Sequence, residues 1–279
     1  MTGCPLCGAT TFEAREVSTR MVRSAYNGST VVRCSGCGLD YISPRPDEVD
    51  GVYEEDYFRA YQDAGMVFPT ESELHPRFAA RLRAVEQMRG RGRLLEIGIG
   101  HGGFLHHAAT QGWDVLGVEL SAYAAAYVRD RYRLNVVHGS LESAQLPPSA
   151  FDMVHLSHVL EHLLDPVAAL RKIGTVLAPG GVLAIEVPNE LENLNIRLQR
   201  LLGGPAPYPV RCTHITFFQP ATLQQMLERA GYRVTRVSTL RDATDPARWR
   251  SLVKRAGGAI ERPFGLGPLI EAFAIPVRN

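Results

Sequence analysis

The segment Leu94-Leu-Glu-Ile-Gly-Ile-Gly-His-Gly-Gly103 decides the fold of this 279-residue chain. Leu94 to Ile97 predict a buried strand, and the glycines that follow predict a sharp turn into a helix near Phe104. Glycine lets the backbone turn tightly and approach a ligand closely. The spacing also satisfies the dinucleotide-binding pattern, so the loop predicts a nucleotide-like ligand without identifying it.

Two acidic residues narrow the choice of ligand. Glu96 stands two residues before the first glycine, where its carboxylate would repel a pyrophosphate and attract a cationic ligand. Glu119 ends the next predicted strand, 23 positions after Glu96. A carboxylate at that place can accept hydrogen bonds from both ribose hydroxyls. The two acids therefore favour a positively charged nucleoside without phosphates over NAD.

Strands and helices alternate through the remainder of the chain. Further strands are predicted at Asp114–Glu119, Asn135–His138, Phe151–Leu156, Val182–Val187, Tyr232–Ser238 and Ile270–Val277. This alternation is typical of a parallel sheet covered by helices on both faces. Pro179-Gly-Gly181 predicts a turn. Residues 189–212 are interpreted as an insertion that contains a helix at Leu191–Leu202.

Taken together, these motifs resemble the class I S-adenosylmethionine (SAM)-dependent methyltransferases. The resemblance rests on the glycine segment, on Glu119, on Phe151–His162 and on Ala178–Leu183. It covers roughly residues 75 to 277. It implies an α/β, Rossmann-like fold whose sheet is mostly parallel with an antiparallel last strand. It also implies SAM as cofactor and S-adenosylhomocysteine as its product.

The resemblance further implies which residues bind SAM. They are Glu96, Gly98, Gly100 and Gly102 for the methionine end, Glu119 with its neighbour Leu120 for the ribose, Ser140 and Leu141 for the adenine, and Ser157 and His158 beside the sulfonium. Many relatives have aspartate at the position of Ser140. A serine hydroxyl can still reach the adenine amine.

Three of the nine histidines are candidates for catalysis, since a base assists methylation of a hydroxyl and histidine suits neutral pH. His158 and His162 are four residues apart, which predicts a shared helical face just past the fourth strand. His214 follows the insertion directly and is the predicted base. The structural alternatives are that His162 braces its helix and that His214 anchors its loop.

The stretch His214-Ile-Thr-Phe-Phe-Gln-Pro220 resembles a segment of methyltransferases that act on sugars and small metabolites. Thr213 stands where those relatives have glutamate, and Arg211 where an aromatic residue is frequent. These departures disfavour C-methylation of a keto-sugar. O-methylation of a saccharide or secondary metabolite is the leading prediction.

Four of the five cysteines form two CxxCG turns, Cys4/Cys7 and Cys34/Cys37, with 26 residues between the pairs. Four thiolates make a closed tetrahedral zinc site, which is structural. A β-hairpin arm with its turn at Tyr26–Ser29 accounts for the long spacing. Redox pairs or free thiols are the alternative.

The domain organisation predicted from these features has three parts. Residues 1–46 form a zinc-ribbon module, 47–90 a linker and helical lead-in, and 91–279 the methyltransferase domain, with a substrate lid at about 189–212.

The formal net charge of +1 does not favour a nucleic-acid partner, so a small-molecule acceptor is expected. No stretch is apolar enough to span a membrane, and the start MTGCPLCG lacks a signal-peptide pattern, which predicts a cytoplasmic protein. The alternatives left open are a zinc-ribbon RNA methyltransferase, a sugar C-methyltransferase and a catalytically silent SAM-binding protein. The oligomeric state is not predicted.

Overall fold

The computed structural model describes residues 3–15, 28–47, 71–201, 213–240 and 265–277. Within these ranges eleven strands form two sheets. They are β1 (Phe12–Ala14), β2 (Thr30–Cys34), β3 (Asp40–Ser43), β4 (Arg93–Ile97), β5 (Asp114–Glu119), β6 (Val136–His138), β7 (Phe151–Ser157), β8 (Leu177–Pro188), β9 (Thr216–Phe217), β10 (Tyr232–Leu240) and β11 (Leu269–Pro276).

The larger sheet has seven strands in the order β10-β11-β8-β7-β4-β5-β6. The five strands from β8 to β6 are paired in parallel, and β11 is antiparallel to both of its neighbours. This arrangement confirms the predicted fold class, including the antiparallel last strand. The chain leaves β4 toward β5 on one side and later adds β7 on the other. A crevice at the carboxyl ends of such strands is where open α/β sheets bind ligands.

Six helices accompany the sheets among the described residues. They are α1 (Glu71–Arg89), α2 (Gly103–Thr110), α3 (Ala122–Tyr132), α4 (Pro166–Val176), α5 (Leu194–Leu201) and α6 (Pro220–Arg229). Ser121 caps α3, as the sequence predicts, because its hydroxyl accepts a hydrogen bond from the amide of Ala124. Asp165 caps α4 in the same way.

Alternate residues of the central strands pack into two separate cores. Leu94 and Met153 face the core under α1 and α2, whereas Leu95 and Val154 face the opposite core under α4 and α6. All four side chains are essentially inaccessible to solvent. The sheet is therefore covered on both faces, which fixes the strand ends relative to one another.

Two details differ from the sequence predictions. β8 begins at Leu177 and continues through Pro179–Gly181, the predicted turn. Gly180 has φ 74°, and the pairing with β7 shifts register here, so these residues form a bulge inside the strand. In the insertion, α5 begins three residues later than predicted. Residues 202–212 lie outside the described part of the chain.

The smaller sheet has the order β1-β2-β3-β9, with every pair antiparallel. β1 and β2 pair as the predicted hairpin arm requires, although Tyr26 and Asn27 of its turn lie outside the described residues. β9 comes from the methyltransferase part of the sequence, immediately after His214. The sheet that contains Cys34 is thus extended, through β3, by the segment that follows His214.

Candidate functional site

The loop between β4 and α2 makes close contact with the segment that follows β7. Gly98 has φ 70°, and a Cβ at this position would overlap the side chain of Val159. Gly100 has φ 52°, and a Cβ there would meet no heavy atom within 4 Å. The first glycine therefore lets the two loops pack together. The second leaves open space in which a ligand can approach the backbone.

Glu119 connects the end of β5 to this loop. Its Oε2 accepts a hydrogen bond from the amide of Gly100, and its Oε1 accepts one from the amide of Ser121, both at 2.9 Å. Burial raises the pKa of Glu119, and these amides partly offset the effect. The carboxylate has a fixed position beside the open face of Gly100.

Glu96 lies in a buried polar network. Arg81 donates to Nε2 of His155 at 2.8 Å, so that nitrogen is an acceptor and His155 donates through Nδ1 to Oε1 of Glu96 at 3.0 Å. Oε2 of Glu96 is buried and has no hydrogen-bond partner among the described residues. Burial raises the pKa of Glu96 well above its usual range, with Arg81 opposing the shift.

The other predicted SAM-binding positions follow the carboxyl ends of neighbouring parallel strands. Leu120 follows β5 and is 36% exposed, whereas Leu141, which comes after β6, is buried. The hydroxyl of Ser140 accepts a hydrogen bond from the amide of Ser143, and Ser157 at the end of β7 donates to Oε1 of Glu186. The fold brings all predicted SAM-binding positions to one edge of the sheet.

The three candidate histidines surround the carboxylate of Glu161. The distances to Glu161 Oε1 are 3.4 Å from His158 Nδ1, 3.9 Å from His162 Nε2 and 3.9 Å from His214 Nε2. Glu161 is fully buried, and neither carboxylate oxygen has a hydrogen-bond partner among the described residues. Burial raises the pKa of Glu161, but the three histidines outweigh it and lower the value to about 2.

The prediction that His158 and His162 share a helical face is wrong. His158 has φ 56°, and the residues after it form a 3-10 turn, Leu160–His162, while α4 begins only at Pro166. The left-handed backbone of His158 costs about 1–3 kcal/mol, and such conformations cluster at functional sites. It turns the 46%-exposed His158 ring toward Glu186, whose Oε1 lies 3.6 Å from Nε2.

Hydrogen bonds fix the direction of the two buried rings. His162 donates through Nδ1 to the carbonyl of Thr213 at 3.0 Å, and His214 donates through Nδ1 to Oε2 of Glu190 at 2.8 Å. Because both partners can only accept, Nδ1 carries the proton in each ring. Burial lowers the pKa of His162 to about 4, so its ring is neutral at pH 7. Nε2 of each ring lies 3.9 Å from Oε1 of Glu161.

Sequence reasoning missed Glu161, Glu186 and Glu190. Glu161 lies within the quoted Phe151–His162 motif, and its spacing between His158 and His162 was a usable signal. Glu190 lies 24 positions before its partner His214, inside the predicted insertion. No local pattern links those two residues.

The four predicted metal-binding cysteines converge at one point. The Sγ atoms of Cys4 and Cys37 are 3.6 Å apart, those of Cys7 and Cys34 are 3.5 Å apart, and all four lie within 4.8 Å of one another. Tetrahedral thiolates bound to zinc at ~2.3 Å would be separated by ~3.8 Å, so the arrangement fits zinc. Burial raises the pKa of the Cys4 thiol to about 11.

A family model described as "Methyltransferase domain" matches residues 55–237, more than half of the chain. A "Probable S-adenosylmethionine-dependent methyltransferase" of Mycolicibacterium smegmatis is 32% identical over 143 residues, which are 50% of this chain and 52% of the relative. A "Ubiquinone biosynthesis O-methyltransferase" of Aeromonas salmonicida is 29% identical over 162 residues, 52% of this chain and 65% of the relative. The matches thus span between about half and two-thirds of these two relatives.

Solved structures support the fold. A SAM-dependent methyltransferase from Thermotoga maritima, titled a possible histamine N-methyltransferase, has a TM-score of 0.56 and 20% identity, covering 79% of this chain and 98% of its own. One from Archaeoglobus fulgidus has a TM-score of 0.54 and 21% identity, covering 78% and 98%. In the described part of the chain, none of the helices combines the length and apolar character that crossing a membrane requires.

Proposed function

Because this chain belongs to the methyltransferase domain family, we propose that it transfers the methyl group of SAM to a hydroxyl oxygen of a small molecule, a saccharide or a secondary metabolite. The observation that carries this proposal is the position of the histidine cluster, His158, His162 and His214. Val159, which neighbours His158, packs directly on Gly98 of the loop between β4 and α2. A methyl donor bound at this loop would therefore be adjacent to the cluster.

We assign SAM to the carboxyl edge of the larger sheet. SAM supplies a methyl group already activated by the positive sulfonium, so the protein has chiefly to hold and orient the reactants. Glu119 accepts from the ribose hydroxyls and Glu96 offers its remaining oxygen to the methionine end. The backbone at Gly98, Gly100 and Gly102 allows close approach, and Leu120 lies beside Glu119 at the ribose. Ser140 and Leu141 contact the adenine, and Ser157 and His158 flank the sulfonium.

The histidine cluster assists loss of the proton from the acceptor hydroxyl. His214 is central because Glu190 fixes its tautomer and its direction. A ring held in this way by a carboxylate is pre-organised and does not have to reorient during the reaction. A saturated hydroxyl is a weak nucleophile until its proton is removed, so this assistance fits O-methylation.

RNA as the acceptor is less well supported. Arg15 and Arg33 of the cysteine module could contribute to a basic surface, but both form ion pairs with Asp40 and Glu192. A nucleic-acid partner requires cations directed at phosphates. The formal net charge of +1 also argues against a nucleic-acid partner.

We further propose that Cys4, Cys7, Cys34 and Cys37 hold one structural zinc ion and that the cytoplasm, where thiols stay reduced, is the site of action. The division into 1–46, 47–90 and 91–279 with a lid at about 189–212 is retained. In this division the module braces the segment after His214 through β3 and β9.

The direct test is reaction of the purified chain with isotope-labelled SAM and two separate acceptor pools, one of hydroxylated metabolites and saccharides and one of total RNA. We expect labelled methyl on oxygen in the small-molecule pool. Label found only in RNA would favour the zinc-ribbon RNA methyltransferase, label on carbon would favour a sugar C-methyltransferase, and no label in either pool would favour a silent SAM-binding protein.

A further inference from the structure

The cluster of Glu161, His162 and His214 has the composition of a metal site with open positions. One atom from each residue, a carboxylate oxygen of Glu161 and a ring nitrogen of each histidine, lies within 4.8 Å of the other two. Two imidazoles and one carboxylate on one side of an ion are typical ligands of divalent first-row transition metals. From this arrangement we infer that the three residues bind a divalent cation that holds the hydroxyl oxygen of the acceptor.

The buried carboxylate is the first argument. Glu161 is fully buried, and both of its oxygens have no hydrogen-bond partner among the described residues. A buried carboxylate that accepts no hydrogen bond is costly unless positive charge nearby compensates it. A bound cation provides that compensation.

The orientation of the two rings is the second argument. Nδ1 of each ring makes its own hydrogen bond, to Thr213 in one case and to Glu190 in the other, so Nε2 is the ring atom on the side of the cluster, 3.9 Å from Oε1 of Glu161. Ligands of a tetrahedral ion at ~2.1 Å are separated by ~3.5 Å, so only a small inward movement of the side chains is needed.

The surroundings of the rings supply the third argument. Metal-binding histidines usually donate their second ring nitrogen to a carboxylate or a backbone carbonyl, which fixes the ring and raises its basicity. His214 donates to Glu190 and His162 to the carbonyl of Thr213. His158 is 46% exposed and lies between Glu161, 3.4 Å from its Nδ1, and Glu186, 3.6 Å from its Nε2, and it is not part of the three-residue group.

This inference rests on the proposed function only in naming the acceptor. The cation binds the hydroxyl oxygen at an open position, and the hydroxyl then releases its proton to water. His214 assists deprotonation as a ligand of the cation. The cation site itself is defined by the three side chains and can be tested without any acceptor.

The test is titration with Mn2+ of the full chain carrying one equivalent of zinc, enough for the four cysteines, followed by electron paramagnetic resonance. Manganese competes poorly for four thiolates, and zinc beyond one equivalent is removed first because it binds nitrogen and oxygen ligands more tightly than manganese. We expect about one Mn2+ per chain. Glu161→Gln and His214→Gln should weaken Mn2+ binding by at least about tenfold. Glu190→Gln should weaken it by about 10- to 100-fold, because a neutral amide replaces the charged acceptor that orients His214 and raises its basicity.

Glu142→Gln and His106→Gln are matched controls outside the cluster and should bind Mn2+ like the wild type. Each variant is first checked for unchanged S-adenosylhomocysteine affinity, which separates loss of the cation site from unfolding. If Glu161→Gln does not fold, Glu190→Gln tests the inference instead, since Glu190 is not a ligand of the cation.

Absence of Mn2+ binding, or equal binding by the wild type and all cluster variants, overturns the inference. A cation site that behaves as described in a chain that methylates no small molecule leaves the inference standing and removes the proposed function. If the chain methylates a small molecule but binds no Mn2+ and is insensitive to chelators, the inferred cation site is rejected and the proposed function stands.

Discussion

The ring of His214 has a fixed direction because Glu190 binds one of its two nitrogens. His214 also lies 4% exposed beside the fully buried Glu161, and it is the central residue of the proposed acceptor site. Its partner comes from the start of the insertion after β8.

We predict that His214→Ala and His214→Asn lower the turnover number by about 10²–10⁴-fold, because the group that assists proton removal is lost. The affinity for SAM should change little, since the SAM contacts lie on other loops. Steady-state kinetics and calorimetry on the same preparations measure both quantities, with His106→Asn as the control. If the Asn variant has wild-type turnover, His214 is a loop anchor, and His158 is the next residue to test.

The residues of the site could be predicted only as far as local patterns reach. The glycine loop and Glu119 could be predicted because their spacing along the sequence is itself a recognisable pattern. The fold brings them to the carboxyl edge of the larger sheet. The direction of His214 depends on Glu190, and the environment of Glu161 depends on two histidines 52 residues apart in sequence. Such non-local pairs leave no periodic signal in a single sequence.

Helices and strands were predicted more accurately where the hydrophobic periodicity and the capping or turn residues indicate the same ends. β5 was predicted with its observed bounds, and α3 was predicted from its cap at Ser121. The Pro179–Gly181 turn was misplaced because a proline and two glycines also fit a bulge, and only the pairing of β8 with β7 distinguishes the two. The 3-10 turn after His158 was missed for a similar reason, since its backbone is set by tertiary contacts.

β3 is the element through which the cysteine module reaches the site. Asp40 and Tyr41 pair with Phe217 and Thr216, and the amide of Ile42 donates to the carbonyl of Ile215. These hydrogen bonds position the residues that directly follow His214. Loss of the module's metal should therefore disturb the acceptor site as well as the module.

We predict that the purified chain holds about one zinc ion and that Cys34→Ser lowers both zinc content and thermal stability, because metal binding contributes to folding. Elemental analysis and thermal melting are the measurements, with Ser35→Ala, next to the ligand, as the control. Protein produced with adequate metal that contains no zinc would contradict the assignment of the four cysteines.

α1 is fastened to the sheet by a buried arginine. Arg81 is 3% exposed, and it donates to Glu271 at 2.9 Å, to Glu186 at 2.6 Å and to His155 at 2.8 Å. These three partners lie on β11, β8 and β7. A single side chain thus links the helix to three strands of the larger sheet, below the edge where SAM is proposed to bind.

We predict that Arg81→Met lowers the free energy of unfolding by about 3–5 kcal/mol, because it removes the buried cation that Glu186 and Glu271 share and leaves them, among the described residues, only Arg77 and Arg236, respectively, as charged arginine partners. Arg89→Met is the matched control, since the pair of Arg89 with Asp152 is partly exposed and contributes only about 0–1 kcal/mol. Urea unfolding compares the two variants. Equal losses would show that the buried network does not fasten α1.

At the scale of the whole molecule, the cysteine module and the methyltransferase part share one core. Cys4, Cys34 and Tyr41 belong to the same buried cluster as Phe218 and Ile185. The linear division into a module and a catalytic domain therefore describes the sequence better than the packing. A single sequence could suggest the two parts, but the shared core is a long-range contact that only the structure shows.

The whole account depends on the identity of the nucleoside at the carboxyl edge of the larger sheet. Glu119 faces the glycine loop with its carboxylate fixed by two amides, and Glu96 leaves one oxygen for a donor. Two acids at this edge suit a cationic ligand and oppose a pyrophosphate. This environment favours SAM and its product over NAD.

Calorimetric titration of the chain with SAM, S-adenosylhomocysteine and NAD tests this claim most directly, with Glu119→Ala and the surface control Glu228→Ala in parallel. We predict that both SAM compounds bind the wild type and that NAD does not. Glu119→Ala should weaken SAM binding by about 10- to 100-fold, because hydrogen bonds to a charged acceptor contribute about 1.5–3 kcal/mol. Binding of NAD, or unchanged SAM affinity in Glu119→Ala, would contradict the account.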